Sequence, residues 1–341
     1  MKAIILAAGK GTRMLPLTNQ IPKPLIPICN LPTLIFVIEK ILDSGINKIG
    51  LVISPNSKET FNQFIRNYNL EKNINIIIQE KPLGVAHAVK TAKDFIKNDD
   101  FLLYLGDNLI KENLKIFKDK FKDISSDALL ILKEINDPKM FGVAQLNYNN
   151  EIVGIEEKPN NPKSNLAVTG IYFFKNKILN EIDKISFSER GELEITDAID
   201  NLVKNGLVIG HKLEEWWIDT GGKNQILEAN SLILEEIING GYSKLYKNYK
   251  RNDNLMIGLN VKTQNVKVNG YAIIGHDSTL ISTNLENNVA ISNNSYIRDS
   301  VVSNSIILEK NYCKNFEITN SLVGTKYKKD VNKKIKDIID A

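Results

Sequence analysis

The sequence predicts an α/β fold that is followed by a β-helix, and two patterns support this prediction. Short apolar runs typical of buried strands alternate with segments of helical spacing up to about residue 105. Such alternation indicates βαβ units and a mostly parallel sheet. From about residue 255, aliphatic residues recur every five or six positions, close to the period of a hexapeptide β-helix. The predicted fold is a Rossmann-like, mostly parallel sheet flanked by helices, followed by a small left-handed β-helix.

The first third of the chain justifies the α/β prediction element by element. Ala3 to Ala8 is continuously apolar, as a strand buried on both faces should be. Apolar residues at helical spacing predict helices over residues 33–43, 57–68 and 85–96. Further apolar runs predict strands over residues 48–54, 74–78 and 101–105. Gly45 is expected to end the first helix.

The pattern loosens in the middle of the chain. Strands are predicted over residues 127–135, 141–146, 152–155 and 167–174, and helices over 194–204 and 223–238. The Asn149-Asn150 pair indicates a hairpin between the second and third of these strands. We interpret the strands as an insertion around a second, smaller sheet that closes the other side of a cleft.

The C-terminal third differs from the rest of the chain in composition and in the spacing of its apolar residues. Aliphatic positions run from Ile274 to Val323, with serine, glycine and asparagine residues between them. They allow about three coils, which is near the minimum for a stable stack. The lysine-rich end is interpreted as a solvated helical tail. The predicted domains are therefore residues 1–240, the β-helix at 255–325 and the tail at 326–341.

Bulk composition is that of an ordinary globular protein. The 341 residues are 43% hydrophobic and 25% charged, and the net charge of +4 is too small to indicate nucleic-acid binding. Cys29 and Cys313 are too far apart for a zinc motif or a disulfide framework. No secretory signal or membrane span is evident. We therefore expect a cytoplasmic protein without nucleic-acid or membrane partners.

The stretch LAAGKGTRMLPLTNQIPKPLIPI, residues 6–28, contains a glycine loop after the first strand. Its spacing fails the Walker A motif, and Met14 stands where a dinucleotide fingerprint needs glycine. Glycines after a buried strand still let backbone N–H groups approach an anion. Arg13 can bind phosphate bidentately, and Lys23 lies on a proline-stiffened arm. A polyphosphate site and a turn with solvated basic residues remain equally compatible with this segment alone.

Two aspartates favour the phosphate interpretation. Asp107 follows the strand predicted at 101–105, and Asp219 follows another apolar run. Ligands of open α/β sheets bind beyond the carboxyl ends of the strands. Two carboxylates together with substrate phosphates are a usual way to hold Mg²⁺, although either aspartate alone could be a helix cap or turn residue.

A set of motifs then resembles the sugar-1-phosphate nucleotidylyltransferases, nearest to their glucose-1-phosphate thymidylyltransferase branch. The motifs are AAGKGTRMLPLT, Lys23-Pro24, Leu105 to Asn108, Phe141 to Val143, Glu156 to Pro159, Val168 to Tyr172, Glu189 to Asp197 and Asp219 to Gly221. They run in the order and spacing of the family over residues 1 to about 240, which would be the catalytic domain. The resemblance implies Mg²⁺-dependent nucleotidyl transfer from dTTP to glucose 1-phosphate, with release of pyrophosphate.

The same resemblance implies a role for each matching residue. The triphosphate would contact Gly9, Gly11, Thr12 and Arg13. The departing pyrophosphate would contact Arg13 and Lys23. The nucleoside would contact Leu6, Ala8, Gln79 and Gly84. Gln79 would read the pyrimidine edge, because its amide offers one donor and one acceptor group. Asp107 and Asp219 would hold Mg²⁺. The sugar would contact Gly142, Glu157, Val168 and Tyr172, and its phosphate Lys158 and Arg190.

Several alternatives stay open at this stage. The nucleotide could be UTP instead of dTTP. The two differ in the methyl group of thymine and the 2′-hydroxyl of UTP, and no residue in the sequence visibly excludes either group. A non-catalytic homologue should lack a ligand residue, whereas Arg13, Lys23, Asp107, Lys158 and Asp219 are all present. An acyltransferase site is disfavoured because the C-terminal coils are short and hold His276 alone of the histidines. We expect these coils to support a homo-oligomer or a lid. The sugar is not fixed.

Overall fold

The structure is a computed structural model that describes residues 1–9, 11–326, 328–335 and 337–339. The described chain forms two compact units. The first unit comprises Met1–Gly9 and Phe36–Asp219, and the second comprises the described residues within 10–35 and 220–341. The glycine loop after residue 9 therefore belongs to the same unit as the C-terminal third. No described helix has both the length and the apolar character needed to cross a membrane.

The helices predicted from the sequence up to residue 238 are all present, and residues 114–123 and 178–182 form two further helices that were not predicted. They are α1 Thr33–Asp43, α2 Lys58–Asn67, α3 Val85–Thr91, α4 Lys93–Ile96, α5 Leu114–Asp123, α6 Ile178–Ile182, α7 Ile195–Asn205 and α8 Lys223–Ile238. The helix predicted over 85–96 is thus interrupted at Ala92. Strands up to residue 219 are β1 Lys2–Leu6, β2 Pro27–Ile28, β3 Leu31–Pro32, β4 Ile49–Ile53, β5 Ile74–Ile78, β6 Phe101–Leu105, β7 Asn108–Ile110, β8 Ala128–Glu134, β9 Gly142–Leu146, β10 Ile152–Glu157, β11 Leu166–Phe174, β12 Val208–Lys212 and β13 Trp217–Asp219.

The first unit is built on one nine-stranded sheet. Its main path is β10-β9-β11-β6-β1-β4-β5, and β8 joins β11 while β12 joins β8. Strands β6, β1, β4 and β5 are parallel, which confirms the predicted mostly parallel sheet with flanking helices. Carboxyl ends of parallel strands meet at one edge of a sheet, so the residues that follow β1, β5 and β6 lie along that edge.

The second sheet predicted for the middle of the chain is wrong. Strand β11 is buried along all nine of its residues, and its C-terminal half pairs with β6. The same strand pairs with β8 and β9, so these strands extend the main sheet. A strand buried on both faces needs cover on both faces, and continuation of the main core supplies it. The small sheet of this unit is instead the antiparallel pair β7–β13.

The second unit contains the predicted β-helix. Its strands are β14 Lys250–Asn252, β15 Leu255–Ile257, β16 Lys262–Gln264, β17 Lys267–Asn269, β18 Ala272–Ile274, β19 Thr279–Glu286, β20 Val289–Ile291, β21 Tyr296–Ser303, β22 Ile306–Ile307, β23 Tyr312–Thr319, β24 Leu322–Val323, β25 Lys328–Ile335 and β26 Ile338–Ile339. From β15 onward these strands stack in parallel from coil to coil. Ile274, Ile291, Ile307 and Val323 align in successive coils, 17, 16 and 16 positions apart, which explains the irregular period of the sequence.

The helical tail predicted for the lysine-rich end is wrong for the described residues. Strand β25 pairs with β23, and β26 pairs with β24, so the segment forms another coil. Ile335 aligns with Ile318 and is buried with it in the aliphatic interior. Burial of this aliphatic position outweighs the helical propensity of the lysines. Residues 327, 336, 340 and 341 of that prediction lie outside the described residues.

A tight turn within the second unit links the N-terminal arm to the β-helix. Cys29 and Asn30 both have positive φ and join the short strands β2 and β3. The Cys29 amide donates to the Asn230 side chain of α8 at 2.9 Å, and Tyr246 Oη donates to the Cys29 carbonyl at 2.7 Å. Asn30 Nδ2 donates to the Ile291 carbonyl of the β-helix at 2.9 Å. The arm, α8 and one coil are therefore held together by hydrogen bonds.

Candidate active site

The two predicted metal ligands both belong to the first unit, at the start and the end of one small antiparallel strand pair. Strand β6 ends at Leu105, and the Gly106 amide donates to the Leu6 carbonyl at 2.9 Å, which fixes where the chain leaves the sheet. Asp107 comes next, and Asn108 begins β7. In the antiparallel β7–β13 pair, Asp219 stands directly opposite Asn108. Directly opposite residues have Cα atoms about 4.5–5.5 Å apart, so the backbone of Asp219 lies close to that of Asn108, the residue after Asp107.

Asn108 orients the Asp107 carboxylate. Its buried side chain donates from Nδ2 to Asp107 Oδ1 at 3.1 Å and accepts from Trp217 Nε1 at 2.8 Å. An indole nitrogen can only donate, so this contact fixes which end of the amide faces Asp107. Two carboxylates of this kind are hard oxygen donors that suit Mg²⁺. No group of three or more His, Cys, Asp or Glu side chains within the described chain is arranged to bind a metal.

Gly170 allows β11 to approach the end of β6 and the start of β7, which we call the Asp107 corner. It has φ +81°, and the pairing of β11 with β8 shifts register between Val168 and Tyr172. A Cβ at Gly170 would lie 2.7 Å from Leu105 Cδ1 and 3.1 Å from Asn108 Nδ2. The glycine of the Val168 to Tyr172 motif therefore provides a bulge and a close approach that a larger residue would prevent.

Four of the predicted sugar-binding residues lie together beside the Asp107 corner. A Cβ at Gly142 would lie 3.4 Å from Glu157 Oε2 and 3.6 Å from Val168 Cγ2, so β9, β10 and β11 meet there. Thr196 Oγ1 of α7 donates to Glu157 Oε2 at 3.3 Å. Tyr172 is buried, and its pKa is raised by that burial and by the nearby charge of Glu157. This cluster of residues therefore holds hydrogen-bonding groups of the kind that bind sugar hydroxyls.

Glu157 has an unusual electrostatic environment. Burial raises the pKa of its carboxyl, the charge of Glu194 raises it further, and Lys158 and Arg190 oppose the rise. Lys158 has φ +42°, so the chain turns sharply after β10, and its Nζ lies 3.9 Å from Glu157 Oε1. A non-glycine residue in this conformation is uncommon, and such strain concentrates at functional sites.

Arg190 is held by a carboxylate that the sequence did not single out. Its Nη2 lies 2.8 Å and its Nε 3.2 Å from Glu194 Oε1, and its Nη2 lies 3.3 Å from Glu157 Oε1. Ser188 Oγ also donates to Glu194 Oε1 at 2.8 Å. Glu194 is buried, whereas the side chain of Glu192 is 43% exposed and lies 3.8 Å from the same guanidinium. The acid-rich stretch around Arg190 is visible in the sequence, but only burial distinguishes Glu194 from its neighbour.

The predicted nucleoside-binding residues lie along the same sheet edge. Leu6 ends β1 and is followed by Ala8 and Gly9, while Gln79 follows β5 directly. The side chain of Gln79 is buried and donates from Nε2 to the Gly84 carbonyl at 3.3 Å, with His87 Nδ1 at 2.9 Å from the same nitrogen. His87 is a contact that sequence reasoning missed, since a lone histidine on a helix has no distinguishing signal.

The Gly84 loop is clamped to the segment before α7. The Ala86 amide donates to the Leu193 carbonyl at 3.1 Å, and the Leu193 amide donates to the Leu83 carbonyl at 2.8 Å. Gly84 has φ +101°, and a Cβ there would lie 2.5 Å from the Leu193 carbonyl oxygen. This position therefore requires glycine for both conformation and space.

The remaining predicted phosphate-binding residues belong to the second unit. Gly11 has φ +62°, and a Cβ there would lie 2.9 Å from Thr18 Cγ2 and 3.0 Å from Lys23 Cβ. Thr18 Oγ1 donates to the Gly11 carbonyl at 2.9 Å. Thr12 and Arg13 form a short 3₁₀ turn directly after Gly11, and the Arg13 side chain is exposed. The glycine turn and the lysine arm are thus packed against each other.

Two aspartates in the same unit as a lysine and an arginine suit phosphoryl-type transfer, in which catalysis depends on positioning and on neutralising anionic groups. The fold and the site of the first unit define an α/β enzyme of this class.

The chain belongs to the nucleotidyl transferase family, whose model matches residues 2–236. It is 34% identical over 327 residues to the glucose-1-phosphate thymidylyltransferase of Streptomyces antibioticus, with 95% of this chain and 92% of that protein covered. It is 39% identical over 240 residues to the low-salt glycan biosynthesis nucleotidyltransferase Agl11 of Haloferax volcanii, with 69% and 67% covered. A crystal structure of UDP-glucose pyrophosphorylase complexed with UDP-glucose superposes with a TM-score of 0.64 at 25% identity, covering 69% of this chain and 98% of that chain. The family resemblance drawn from the motifs is confirmed.

Proposed function

We propose that the protein transfers a thymidylyl group from dTTP to glucose 1-phosphate, giving dTDP-glucose and pyrophosphate. The observation that best supports this proposal is that one unit holds both the aspartates at the β7–β13 pair and the hydrogen-bonded Glu157 and Arg190, groups suited to a metal, a phosphate and sugar hydroxyls. Similarity to a thymidylyltransferase along 95% of the chain supports dTTP as the nucleotide. The proposed product is an activated sugar for polysaccharide synthesis.

In the proposed reaction, a phosphate oxygen of the sugar 1-phosphate attacks the α-phosphorus of dTTP. A new P–O bond forms as the bond to the β-phosphate oxygen breaks, and pyrophosphate leaves. The attacking oxygen is already anionic at neutral pH, so the chain needs no general base for this step. Asp107 and Asp219 would hold Mg²⁺, which supplies charge neutralisation at the α-phosphate when bound.

The cationic side chains position the two substrates. Lys158 and Arg190 bind the phosphate of the sugar, and this offsets repulsion between two anions that must come into contact. Arg13 and Lys23 bind the triphosphate and stabilise the charge that builds on the leaving pyrophosphate. Glu157 and Thr196 bind sugar hydroxyls, and the Glu157 carboxylate accepts hydrogen bonds from them.

UTP is the second candidate nucleotide, and similarity to UDP-glucose pyrophosphorylase favours it. Thymine and uracil present the same hydrogen-bonding edge, so methyl and hydroxyl contacts must decide, and such contacts discriminate only modestly. The test offers dTTP and UTP together with glucose 1-phosphate and Mg²⁺, and quantifies both nucleotide sugars. We expect dTDP-glucose to predominate. A predominance of UDP-glucose would assign a uridylyltransferase, and the absence of any pyrophosphate release would favour a non-catalytic homologue.

Replacement of the carboxylate that holds Arg190 tests the sugar-phosphate pocket. Glu194→Gln is expected to raise the KM for glucose 1-phosphate about tenfold, because the guanidinium loses a charge-assisted hydrogen bond that orients it. The KM for dTTP should change little. Glu192→Gln is the matched control, since that carboxylate belongs to a 43% exposed side chain and lies 3.8 Å from the same guanidinium. Steady-state kinetics with varied sugar phosphate provides the measurement, and equal effects of the two variants would contradict the assignment.

A further inference from the structure

Gln79 uses both hydrogens of its amide nitrogen inside the protein. The Gly84 carbonyl, 3.3 Å from Gln79 Nε2, can only accept a hydrogen bond, so the nitrogen end of the amide faces inward. His87 Nδ1 lies 2.9 Å from the same nitrogen. An amide nitrogen can only donate, so this contact is a hydrogen bond only if His87 Nδ1 accepts, which requires a neutral imidazole with its proton on Nε2.

The surroundings of His87 keep it in this state. Burial lowers the pKa of the imidazole, and the positive charge of Lys90 lowers it further. His87 lies in α3, where its carbonyl accepts a hydrogen bond from Thr91 Oγ1 at 2.9 Å. The ring therefore extends from a helical turn that is itself hydrogen-bonded.

This arrangement selects the group that Gln79 presents to a base. The sequence suggested that the amide would offer both a donor and an acceptor, but the donor end is already occupied by Gly84 and His87. The remaining oxygen, Oε1, can accept the N3–H group that thymine and uracil carry. Cytosine has a lone pair at N3, which would face the Gln79 oxygen and be repelled.

We propose that His87 is a positioning residue that locks the Gln79 amide with its oxygen toward the nucleobase and thereby selects thymine or uracil over cytosine. This inference rests on the proposed nucleotidyl transfer, in which Gln79 meets the base. Without the His87 acceptor, the Gln79 amide can turn and donate to cytosine N3 while accepting from its exocyclic amine. His87 acts through Gln79 and does not touch the reacting phosphates.

Two substitutions at residue 87 separate the acceptor from mere packing. His87→Leu removes the acceptor. His87→Asn keeps one, because the amide oxygen of asparagine is the same number of bonds from Cβ as the Nδ1 atom of histidine. Calorimetric binding of dTTP and dCTP and kcat/KM for both are measured for each purified variant. We expect His87→Leu to reduce the dTTP-to-dCTP preference about tenfold, the effect of one hydrogen bond, and His87→Asn to keep it within about threefold of wild type.

Further readouts distinguish this role from a structural one. The KM for glucose 1-phosphate and the kcat at saturating dTTP should stay unchanged in His87→Leu. Thr91→Val, which removes the hydrogen bond to the His87 carbonyl, serves as the control for disturbance of the turn and should keep the base preference. An unchanged preference in His87→Leu, with wild-type protein using dTTP, would overturn the His87 proposal alone. If wild-type protein neither bound nor used a pyrimidine triphosphate, the proposed function and this inference would both be wrong.

Discussion

Asp107→Asn is expected to lower kcat by about 10²- to 10³-fold while leaving the melting temperature within a few degrees of wild type. The substitution keeps the size of the side chain, and the new amide oxygen can still accept the hydrogen bond from Asn108 Nδ2 that Asp107 accepts at 3.1 Å. It removes one of the two negative charges proposed to hold Mg²⁺, at the residue that precedes the β7–β13 pair. The loss should therefore fall on metal binding and turnover and not on folding.

Asp100 provides a control for this prediction, because it lies at the opposite end of β6 from Asp107. Asp100 directly precedes β6 and is exposed, so Asp100→Asn also removes one negative charge and should leave kcat unchanged. Pyrophosphate release is followed at increasing Mg²⁺ concentrations, and thermal unfolding is recorded for both variants. Near-normal turnover of Asp107→Asn would show that Asp107 is not a metal ligand. A large drop in its melting temperature would assign the effect to the fold.

The sequence predicted the parallel half of the sheet because local patterns determine it. Strand β5 was predicted at residues 74–78 and has those bounds in the structure. Sheet membership in the middle of the chain depends on pairing between distant segments, which alternation of residues does not encode. The long strand β11 pairs with β6 and also with β8 and β9, and this branching puts into the main sheet the strands that the sequence pattern assigns to a separate sheet.

The site shows the same division between local and non-local signals. Asp107 and Asp219 could be proposed because each follows an apolar run, and position after a strand is a local property. Asn108 and Glu194 act through contacts with Trp217 and Arg190 that the folded chain creates. An asparagine or glutamate in a polar stretch carries no mark of burial, so these supporting residues could not be distinguished beforehand.

Gly84→Ala is expected to weaken dTTP binding at least a hundredfold, because two penalties fall on one loop. The backbone at Gly84 has φ +101° and ψ 174°, a region essentially restricted to glycine, and strain there costs about 1–3 kcal/mol. The added Cβ would also lie 2.5 Å from the Leu193 carbonyl oxygen and 2.8 Å from its nitrogen. Backbone atoms cannot swing aside as a flexible side chain can, so the hydrogen bonds between this loop and Leu193 must break.

Displacement of the loop should act on nucleotide binding through Gln79, whose amide nitrogen donates to the Gly84 carbonyl. Gly240→Ala is the matched control, since Gly240 has φ +95° but has no atom within 4 Å of an added Cβ. It should show the cost of conformational strain in its melting temperature without loss of dTTP affinity. Calorimetric titration with dTTP measures the difference. Wild-type affinity in Gly84→Ala would mean that the loop does not hold the base, whereas equal losses of thermal stability in the two variants would show that strain, and not the contact with Leu193, dominates at Gly84.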